Sequence, residues 1–296
     1  MLEKTLVVII NFNNIEDTLE CLESCIKSGI NKKQLLLIDN HSSQIVVQNI
    51  KNVLPWLSIL ELPDNMGYAA GVNAGLNEAL NRGYEYSFIL NNDIVLNSST
   101  LPELISVLER DTQIGICTPQ NIVYGTNNVC FAGGYYDHKK GLTLHNTRPL
   151  AGPLEVDFLT GSAMLIRNNM LEKTGLFDEQ YFLYFEDADF CMKVKHHGFK
   201  CVVTPKSEVQ HKVSKTAALN PFIYYYCQRN RLQFFARYGR KKYIVLFIYH
   251  FFADNLRLII KGLLKPAKNK NFKNMSYSLL GIMDFIKGKK GKNERL

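Results

Sequence analysis

FILNND, residues 88–93, joins a short apolar run to a polar triplet, and this stretch decides how the chain is expected to fold. An apolar run with a β-branched and an aromatic residue, bounded by polar residues, is typical of a buried strand. Open α/β sheets bind their ligands at the carboxyl ends of such strands, where Asn91, Asn92 and Asp93 stand. Oxygen ligands at that point suit a hard divalent cation, which could in turn hold a diphosphate. The triplet is also ordinary turn chemistry, so the rest of the chain must distinguish the two.

Three further apolar runs end in the same way. Helical patterns separate them, and strands that alternate with helices predict βαβ units and a largely parallel sheet. The polar residues would then converge on one edge of that sheet, which is more informative than any single motif. The runs and the residues that follow them are 5–10 with Asn11, 34–38 with Asp39, 57–62 with Asp64 and Asn65, and 88–90 with Asn91.

The second half of the chain has a weaker pattern. Residues 112–155 contain short strand-like pieces and are predicted to be irregular and rich in loops, and residues 156–166 to form a strand interrupted by Gly161. A glycine inside a strand pattern indicates a bulge or a close backbone approach. A helix is expected to end at His197, a strand over 199–203 to be ended by Pro205, and the chain beyond residue 220 to be helical and aromatic, then basic.

The net charge of +8 is carried by the end of the chain. Residues 261–296 hold ten basic and two acidic residues, and the rest holds 25 of each, so the body is neutral. The tail is either solvated behind a packed helix or attracted to anionic lipid. Nucleic acid is a poorer explanation, because neither the motifs nor the neutral body supports it. The apolar residues that would form the packed helix or the lipid contact lie just before this tail and at its start. They are Phe247, Phe251, Leu256, Leu258, Ile259, Leu263 and Leu264.

The seven cysteines are scattered and never form a C-x-x-C pair. This pattern argues against a disulfide framework or a structural zinc site, and it favours buried thiols in a reducing cytoplasm. The run at 6–10 is too short for a signal peptide, and residues 243–260 contain four polar or charged interruptions that make a poor spanning helix.

Two later groups of residues could carry chemistry. Three carboxylates stand within four residues, at Glu186, Asp187 and Asp189. They either interact favourably with the dipole at the start of a helix, or one of them acts as a general base. His211 is either structural or the imidazole that completes a site with Asp93 and a diphosphate. The spacing of the glycines after residue 66 is not that of a dinucleotide fingerprint or a P-loop, which argues against NAD(P) binding and ATPase chemistry.

Taken in order, these motifs resemble the family 2 inverting glycosyltransferases with the GT-A fold, especially the bacterial rhamnosyltransferase-like branch. The resemblance covers about residues 6–235. The motifs that carry it are INFN at 10–13, DNHS at 39–42, DNMG at 64–67 with GVN at 71–73, LNND at 90–93, GSAM at 161–164, FEDAD at 185–189, and His211.

The resemblance implies an α/β fold with a Rossmann-like, mostly parallel central sheet flanked by helices and a helical C-terminal extension. It implies a catalytic domain over 1–220, with a nucleotide-sugar half at about 1–110 and an acceptor half at about 111–220, and a basic extension over 221–296.

The resemblance also implies roles for individual residues. Asp187 matches the general base, which Glu186 and Asp189 support, and Asp93 and His211 match the ligands of a Mg²⁺ or Mn²⁺ ion. The triplet contains only one carboxylate, so His211, water and the donor phosphates would supply the other ligands of the cation. The residues implied to contact the nucleotide sugar are Asn11, Asn13, Asp39, Asn65, Gly67, Asn73, Asn91, Asn92 and, through the diphosphate or the acceptor, Arg229.

The implied activity is transfer of a sugar, with L-rhamnose favoured, from a dTDP- or UDP-sugar to a hydroxyl of a growing, lipid-linked cell-surface glycan. The implied location is the cytoplasm, at the inner face of the plasma membrane. Two alternatives stay open at this point: a nucleotidyltransferase that makes a sugar nucleotide, and a non-catalytic protein that binds sugar nucleotides or glycans. The first would be expected to carry a glycine-rich, basic loop near the first strand, and residues 10–14 lack one.

Overall fold

The computed structural model describes residues 2–137, 142–212, 220–239 and 270–296, together with Val245 and Phe252. Apart from Val245 and Phe252, the residues to which the predictions for 243–260 and for the apolar side chains from Phe247 to Leu264 apply lie outside these described residues. The chain divides into two compact units. The first comprises Met1–Tyr135, His145–Glu179 and Glu186–Val213, and the second comprises Tyr136–Leu144, Gln180–Phe185 and Ser214–Leu296.

Ten of the described strands form one sheet in the first unit, in the order β10-β12-β6-β11-β4-β1-β2-β3, with β5 beside β12 and β7 beside β6. A separate pair, β8 and β9, forms a two-stranded sheet. The strands are β1 Thr5–Asn11, β2 Leu35–Asp39, β3 Ser58–Glu61, β4 Tyr86–Asn91, β5 Ile94–Leu96, β6 Ile114–Val123, β7 Val129–Phe131, β8 Gly134–Asp137, β9 Leu142–His145, β10 Leu154–Glu155, β11 Ala163–Arg167 and β12 Lys200–His211.

The predicted parallel sheet is confirmed in β3-β2-β1-β4, where neighbouring strands run parallel. Both β1 and β2 are buried along their whole length, as expected of strands covered on two faces. In register, Asn11 lies opposite Asp39, and Ile10 lies opposite Asn91. The polar residues that end these strands therefore meet at one edge of the sheet. Beyond β4, strand β11 runs antiparallel to both β4 and β6, which makes the sheet mixed.

Helices follow the strands, and α3 packs most closely against the parallel strands. A Cβ atom added at Gly75 would lie 2.2 Å from Val8 Cγ1, so only glycine permits this approach of α3 to β1. The helices of the described residues are α1 Ile15–Lys27, α2 Gln44–Val53, α3 Tyr68–Asn81, α4 Thr100–Arg110, α5 Leu171–Thr174, α6 Glu186–His196, α7 Phe222–Tyr238 and α8 Lys270–Ile286.

Three predictions for the second half of the chain differ from the structure in where the strands lie. The region predicted to be rich in loops contains β6, a buried ten-residue strand whose central Gly, Thr, Pro and polar residues hide its period. Strand β12 does not end at Pro205, because a register shift between Thr204 and Glu208 accommodates the proline before pairing with β6 resumes. The strand predicted over 156–166 begins only at Ala163, so Gly161 lies in the loop before β11.

The second unit is built around α7 and α8, where Leu232 and Ile282 form a small apolar core with Leu279 and Phe285 beside it. The Tyr225 hydroxyl donates a 2.8 Å hydrogen bond to the buried Asp284 carboxylate, which joins the two helices. No helix in the described part of the chain is long and apolar enough to cross a membrane.

Candidate active site

The ends of β1 and β2 are locked together by side chains. Asn11 Nδ2 donates to Asp39 Oδ1 at 2.8 Å, and the other Asp39 oxygen accepts the Ser42 backbone N–H at 2.8 Å. Asn11 and Asp39 are both buried. The Asn13 backbone N–H donates to Ser42 Oγ at 2.8 Å, and Asn13 itself adopts a positive φ of 52°. These bonds fix the positions of Asn11, Asn13 and Asp39, which are predicted to contact the nucleotide. Ser42 bonds to Asp39 through its backbone N–H and to Asn13 through its hydroxyl, a role that the sequence alone did not indicate.

The loop before α3 is hydrogen-bonded to the same edge of the sheet, next to the end of β2. Asn65 Oδ1 accepts from Asn40 Nδ2 at 3.2 Å and from the Gly67 backbone N–H at 3.1 Å. Gly67 has a φ of +87°, a conformation that favours glycine, and it immediately precedes the helix. The structure therefore brings Asn65 and Gly67 to the edge where Asn11, Asn13 and Asp39 also lie.

Asn73 does not present its amide to this edge. Its Nδ2 donates to the Phe177 carbonyl at 3.0 Å and to Glu179 Oε1 at 2.8 Å, and its Oδ1 accepts the Phe177 N–H at 3.0 Å. Both amide hydrogens are thus used inside the protein. We therefore assign Asn73 a structural role instead of the predicted contact with the nucleotide.

The members of the polar triplet have separate environments. Asn92 Nδ2 donates to Asn11 Oδ1 at 3.2 Å and to Thr18 Oγ1 at 2.9 Å, which ties the triplet to β1 and α1. Asn91 Oδ1 and Asp93 Oδ1 are buried oxygen atoms with no hydrogen-bond partner among the described residues. A buried oxygen without a partner is costly, and a ligand that supplies the missing interaction would offset that cost.

His211 lies beside Asp93 because β5 pairs antiparallel with β12, in a register that sets His211 opposite Ile94. His211 Nε2 is 3.3 Å from Asp93 Oδ2. Burial alone would lower the pKa of His211, but the hydrogen bond and charge of Asp93, with a smaller contribution from Cys130, raise it to about 9. An imidazolium therefore faces the carboxylate when no other cation does.

These two side chains fit a divalent cation. The Asp93 carboxylate suits Mn²⁺ or Mg²⁺, with the His211 imidazole as a softer second ligand, and Asp93 Oδ1 is an unpartnered oxygen at the same place among the described residues. Two neighbouring ligands of an octahedral ion with bonds of about 2.1 Å lie about 3 Å apart, close to the observed separation of the two side chains. No group of three or more His, Cys, Asp or Glu residues that could hold a metal is found within the described ranges, so further ligands would come from the donor and water.

The second focus is the first turn of α6. Asp187 Oδ1 accepts the Ala188 N–H at 2.7 Å, and Asp187 Oδ2 accepts the Gly161 N–H at 3.2 Å. Burial raises the pKa of Asp187, while these two N–H bonds and the nearby His145 oppose that rise. A carboxylate that is partly desolvated yet held by backbone donors has the basicity and the fixed position that a general base requires.

The two flanking carboxyl groups differ from Asp187. Burial, and then the charge of Asp187, raise the pKa of Glu186 well above its usual value, and Glu186 Oε2 is buried without a hydrogen-bond partner. Asp189 is fully buried, and Lys193 on the same helix lies 3.9 Å from its carboxylate. Glu186 thus retains its proton more readily than Asp187, and Asp189 supports the turn.

Gly161 and Ser162 connect the two foci. The Gly161 N–H holds Asp187, and the Ser162 carbonyl accepts the Asn91 N–H at 2.9 Å. Asn121 Nδ2 donates to Ser162 Oγ at 2.7 Å from the neighbouring strand β6. One short loop therefore contacts both the end of β4 and the carboxylate predicted to be the base.

Arg229 lies in the second unit and is fully buried. Its guanidinium donates to Asn230 Oδ1, to the Tyr225 hydroxyl and to the Tyr181 carbonyl at 3.0–3.3 Å. The Asn230 side chain donates to the carbonyls of Tyr181, Leu183 and Tyr184 at 2.7–2.8 Å. We therefore assign Arg229 a structural role in this unit instead of the predicted contact with diphosphate or acceptor.

A mixed, mostly parallel sheet with polar strand ends and a carboxylate-imidazole pair is the arrangement expected of a GT-A-type glycosyltransferase. The family model described as "Glycosyl transferase family 2" matches residues 6–175, more than half of the chain. The chain belongs to glycosyl transferase family 2, and the protein is a glycosyltransferase enzyme.

Relatives and a solved structure agree with this assignment. The chain is 25% identical to the low-salt glycan biosynthesis hexosyltransferase Agl10 of Haloferax volcanii, over 100% of this chain and 95% of that protein. It is 26% identical to the N-acetylglucosaminyl-diphospho-decaprenol L-rhamnosyltransferase of Mycobacterium tuberculosis, over 63% of this chain and 69% of the relative. The mannosyltransferase PcManGT of Pyrobaculum calidifontis, solved with GDP-Man and Mn²⁺, superposes with a TM-score of 0.59 at 14% identity, over 97% of this chain and 88% of that one. The predicted GT-A fold is confirmed.

Proposed function

We propose that the protein is an inverting glycosyltransferase that moves a sugar from a nucleoside-diphosphate sugar to a hydroxyl of a lipid-linked glycan, with Asp187 as the general base. The observation that carries this proposal is the arrangement around the loop of Gly161 and Ser162. In that loop the Gly161 N–H donates to the Asp187 carboxylate, and the carbonyl of the next residue, Ser162, accepts the Asn91 N–H. A proposed base and the proposed diphosphate-binding end of β4, both bonded to adjacent residues of one loop, suit a direct displacement at a sugar bound near that loop.

In the proposed reaction, Asp187 accepts the proton of the acceptor hydroxyl as its oxygen attacks the anomeric carbon. The bond from that carbon to the diphosphate oxygen breaks, and its electron pair leaves with the nucleoside diphosphate. Configuration inverts because attack and departure occur on opposite faces of the sugar. Asp93 and His211 would hold a divalent cation, which would neutralise charge on the departing diphosphate.

Donor contacts are proposed for the residues that meet at the sheet edge. Asn11, Asn13 and Asp39 would frame the nucleoside, and Asn65 with Gly67 would border it from the loop before α3. Asn91 and Asn92 would stand beside the diphosphate, where Asn91 Oδ1 is the buried oxygen with no partner among the described residues. L-Rhamnose is favoured by the name of the mycobacterial relative and by the family resemblance, and a dTDP or UDP carrier by the resemblance. A lipid-diphosphate acceptor is favoured by that name.

The basic C-terminal segment is proposed to contact an anionic membrane surface at the cytoplasmic face, where a lipid-linked acceptor would be met. Each basic residue near such a surface contributes about 1 kcal/mol. Flotation of the protein with vesicles that contain or lack anionic lipid tests this contact. Equal flotation with both vesicles, or no effect of replacing Lys289, Lys290 and Lys292 by glutamine, would contradict it.

A panel of nucleotide sugars tests the function. UDP- and dTDP-linked sugars are incubated with a short lipid-diphosphate saccharide, and the released nucleoside diphosphate and the linkage of the product are measured. We expect one donor to be used at least tenfold faster than the rest, with an inverted anomeric configuration in the product. A product that retains the donor configuration would contradict the single-displacement mechanism. The family assignment argues against the nucleotidyltransferase and the non-catalytic binding protein, and release of pyrophosphate from a nucleoside triphosphate would revive the former.

A further inference from the structure

Tyr68 lies directly against Gly161. A Cβ atom added at Gly161 would be 2.8 Å from the Tyr68 hydroxyl oxygen and 2.9 Å from the Tyr68 ring carbon Cε1. The Tyr68 hydroxyl donates to the Gly161 carbonyl at 2.6 Å. The glycine expected from the sequence to mark a close backbone approach is therefore approached by a tyrosine ring.

Both backbone polar groups of Gly161 are occupied. Its carbonyl accepts from Tyr68, and its N–H donates to Asp187 Oδ2 at 3.2 Å. Tyr68 is the first residue of α3 and follows the loop that contains Gly67, whereas Asp187 is on α6. Gly161 thus links Tyr68 of α3 to Asp187, the proposed base, through its two backbone groups.

The next residue fixes the loop further. Ser162 is buried, its carbonyl accepts the Asn91 N–H, and its hydroxyl accepts from Asn121 Nδ2. With Ser162 held in this way, the Tyr68 hydroxyl supplies the side-chain hydrogen bond that restrains the preceding carbonyl. Loss of that bond would free Gly161 while leaving Ser162 in place.

The surroundings keep the Tyr68 hydroxyl a donor. Burial raises the pKa of Tyr68 well above its usual value, and the charges of Glu186, Asp187 and Asp93 raise it further. The charge of Asp187 raises the pKa of Glu186 and Cys191 on its own helix, of His145 on β9 and of Tyr68 on α3, and His145 in turn lowers the pKa of Asp187. The protonated phenol keeps the O–H that it donates to the Gly161 carbonyl.

We propose that Tyr68 is a positioning residue for sugar transfer: its hydroxyl holds Gly161 in the place where the Gly161 N–H steadies the Asp187 carboxylate. Through this bond the helix that follows the donor loop is linked to the base. The inference rests on the proposed function, because it requires Asp187 to take the proton of the acceptor.

The test is the Tyr68→Phe enzyme, which loses one hydroxyl and keeps the ring against Gly161. Transfer is measured with the fastest donor of the panel at about pH 5 to 9, and exchange of the Gly161 amide hydrogen is measured in the same protein. We expect kcat to fall about 10- to 100-fold with the donor KM changed less than about twofold, because a small misplacement of a catalytic group has this cost. The acidic limb of the kcat profile should move to higher pH, since a looser Gly161 N–H favours the ionised carboxylate less.

Tyr84→Phe is the matched control, because it removes a phenol at the opposite end of α3, before β4. It should leave kcat, the acidic limb and Gly161 exchange unchanged. Gly161→Ala is the second variant, since its added Cβ must displace the Tyr68 ring. It should move the acidic limb in the same direction, and it should move it less when Tyr68 is already phenylalanine.

The proposal is overturned if Tyr68→Phe has the same kcat, the same acidic limb of the kcat profile and the same exchange rate of the Gly161 amide hydrogen as the wild type. The failure of the proposed function is recognised separately with Asp187→Asn. If Asp187→Asn is inactive while Tyr68→Phe is normal, only the role of Tyr68 is overturned. If Asp187→Asn transfers sugar at the wild-type rate, the base has been assigned to the wrong residue and both proposals fall.

Discussion

His211 Nε2 lies 3.3 Å from Asp93 Oδ2, held there by the pairing of β5 with β12. The carboxylate follows β4 and the imidazole ends β12, so two segments that are distant in sequence supply the pair. A raised pKa of about 9 keeps His211 charged in the absence of another cation. A divalent ion bound at Asp93 would compete with that proton for the same two side chains.

Asp93→Ala is expected to weaken metal-dependent binding of the nucleotide by at least about tenfold, because it removes the only carboxylate of the triplet. Calorimetry with UDP and dTDP in the presence of Mn²⁺ measures the change, and EDTA should bring the wild-type protein to the affinity of the variant. Glu172→Ala, an exposed carboxylate on α5, is the control. Equal nucleotide affinity in Asp93→Ala and the control, with and without EDTA, would remove Asp93 from this role.

Glu186→Gln is expected to stabilise the protein at neutral pH. The pKa of Glu186 is raised above its ordinary 4.5 by burial and by Asp187, so the unfolded glutamate releases its proton at a lower pH than the folded one. The wild-type protein therefore loses stability as pH rises from 4.5 toward the raised pKa, and the amide variant does not. Urea unfolding at several pH values should show a stability difference that grows with pH and vanishes below about pH 4. A difference that does not change with pH would contradict the burial of an acidic proton at Glu186.

Asn230→Ala is expected to destabilise the second unit by about 2–4 kcal/mol, since one amide group holds three carbonyls of the segment Gln180–Phe185. That segment needs support, because Phe182, Tyr184 and Phe185 all have positive φ values, which cost energy in residues other than glycine. Chemical denaturation measures the loss, with the exposed Asn127→Ala as the control. A variant as stable as the control would show that the segment holds its conformation without Asn230.

The parallel half of the sheet could be predicted because each strand is a continuous apolar run that ends in a polar residue. In β1, β2 and β4 those runs are buried, and Asn11 and Asp39 meet in register as expected. A helix between the third and fourth runs was also predicted from the helical pattern there, and its Gly75 permits the approach to Val8.

The rest depended on distant pairing that no local pattern records. His211 could be proposed as a partner of Asp93, but its place at the end of β12 required a strand that continues past Pro205 at a register shift. Asn73 and Arg229 have side chains suited to a ligand, yet their polar groups are used inside the protein. Tyr68 carried no signal of its own beyond its position after Gly67, because its partner at Gly161 lies on another segment of the first unit.

The most direct test of the account is the transfer rate of Asp187→Asn with donor and lipid-linked acceptor, measured beside the affinity of the variant for the donor. The amide keeps the shape of the side chain but cannot accept the acceptor proton, so we predict a fall in kcat of about 10²–10⁴-fold with donor affinity within about twofold of the wild type. A kcat within threefold of the wild-type value would contradict the assignment of Asp187 as the base.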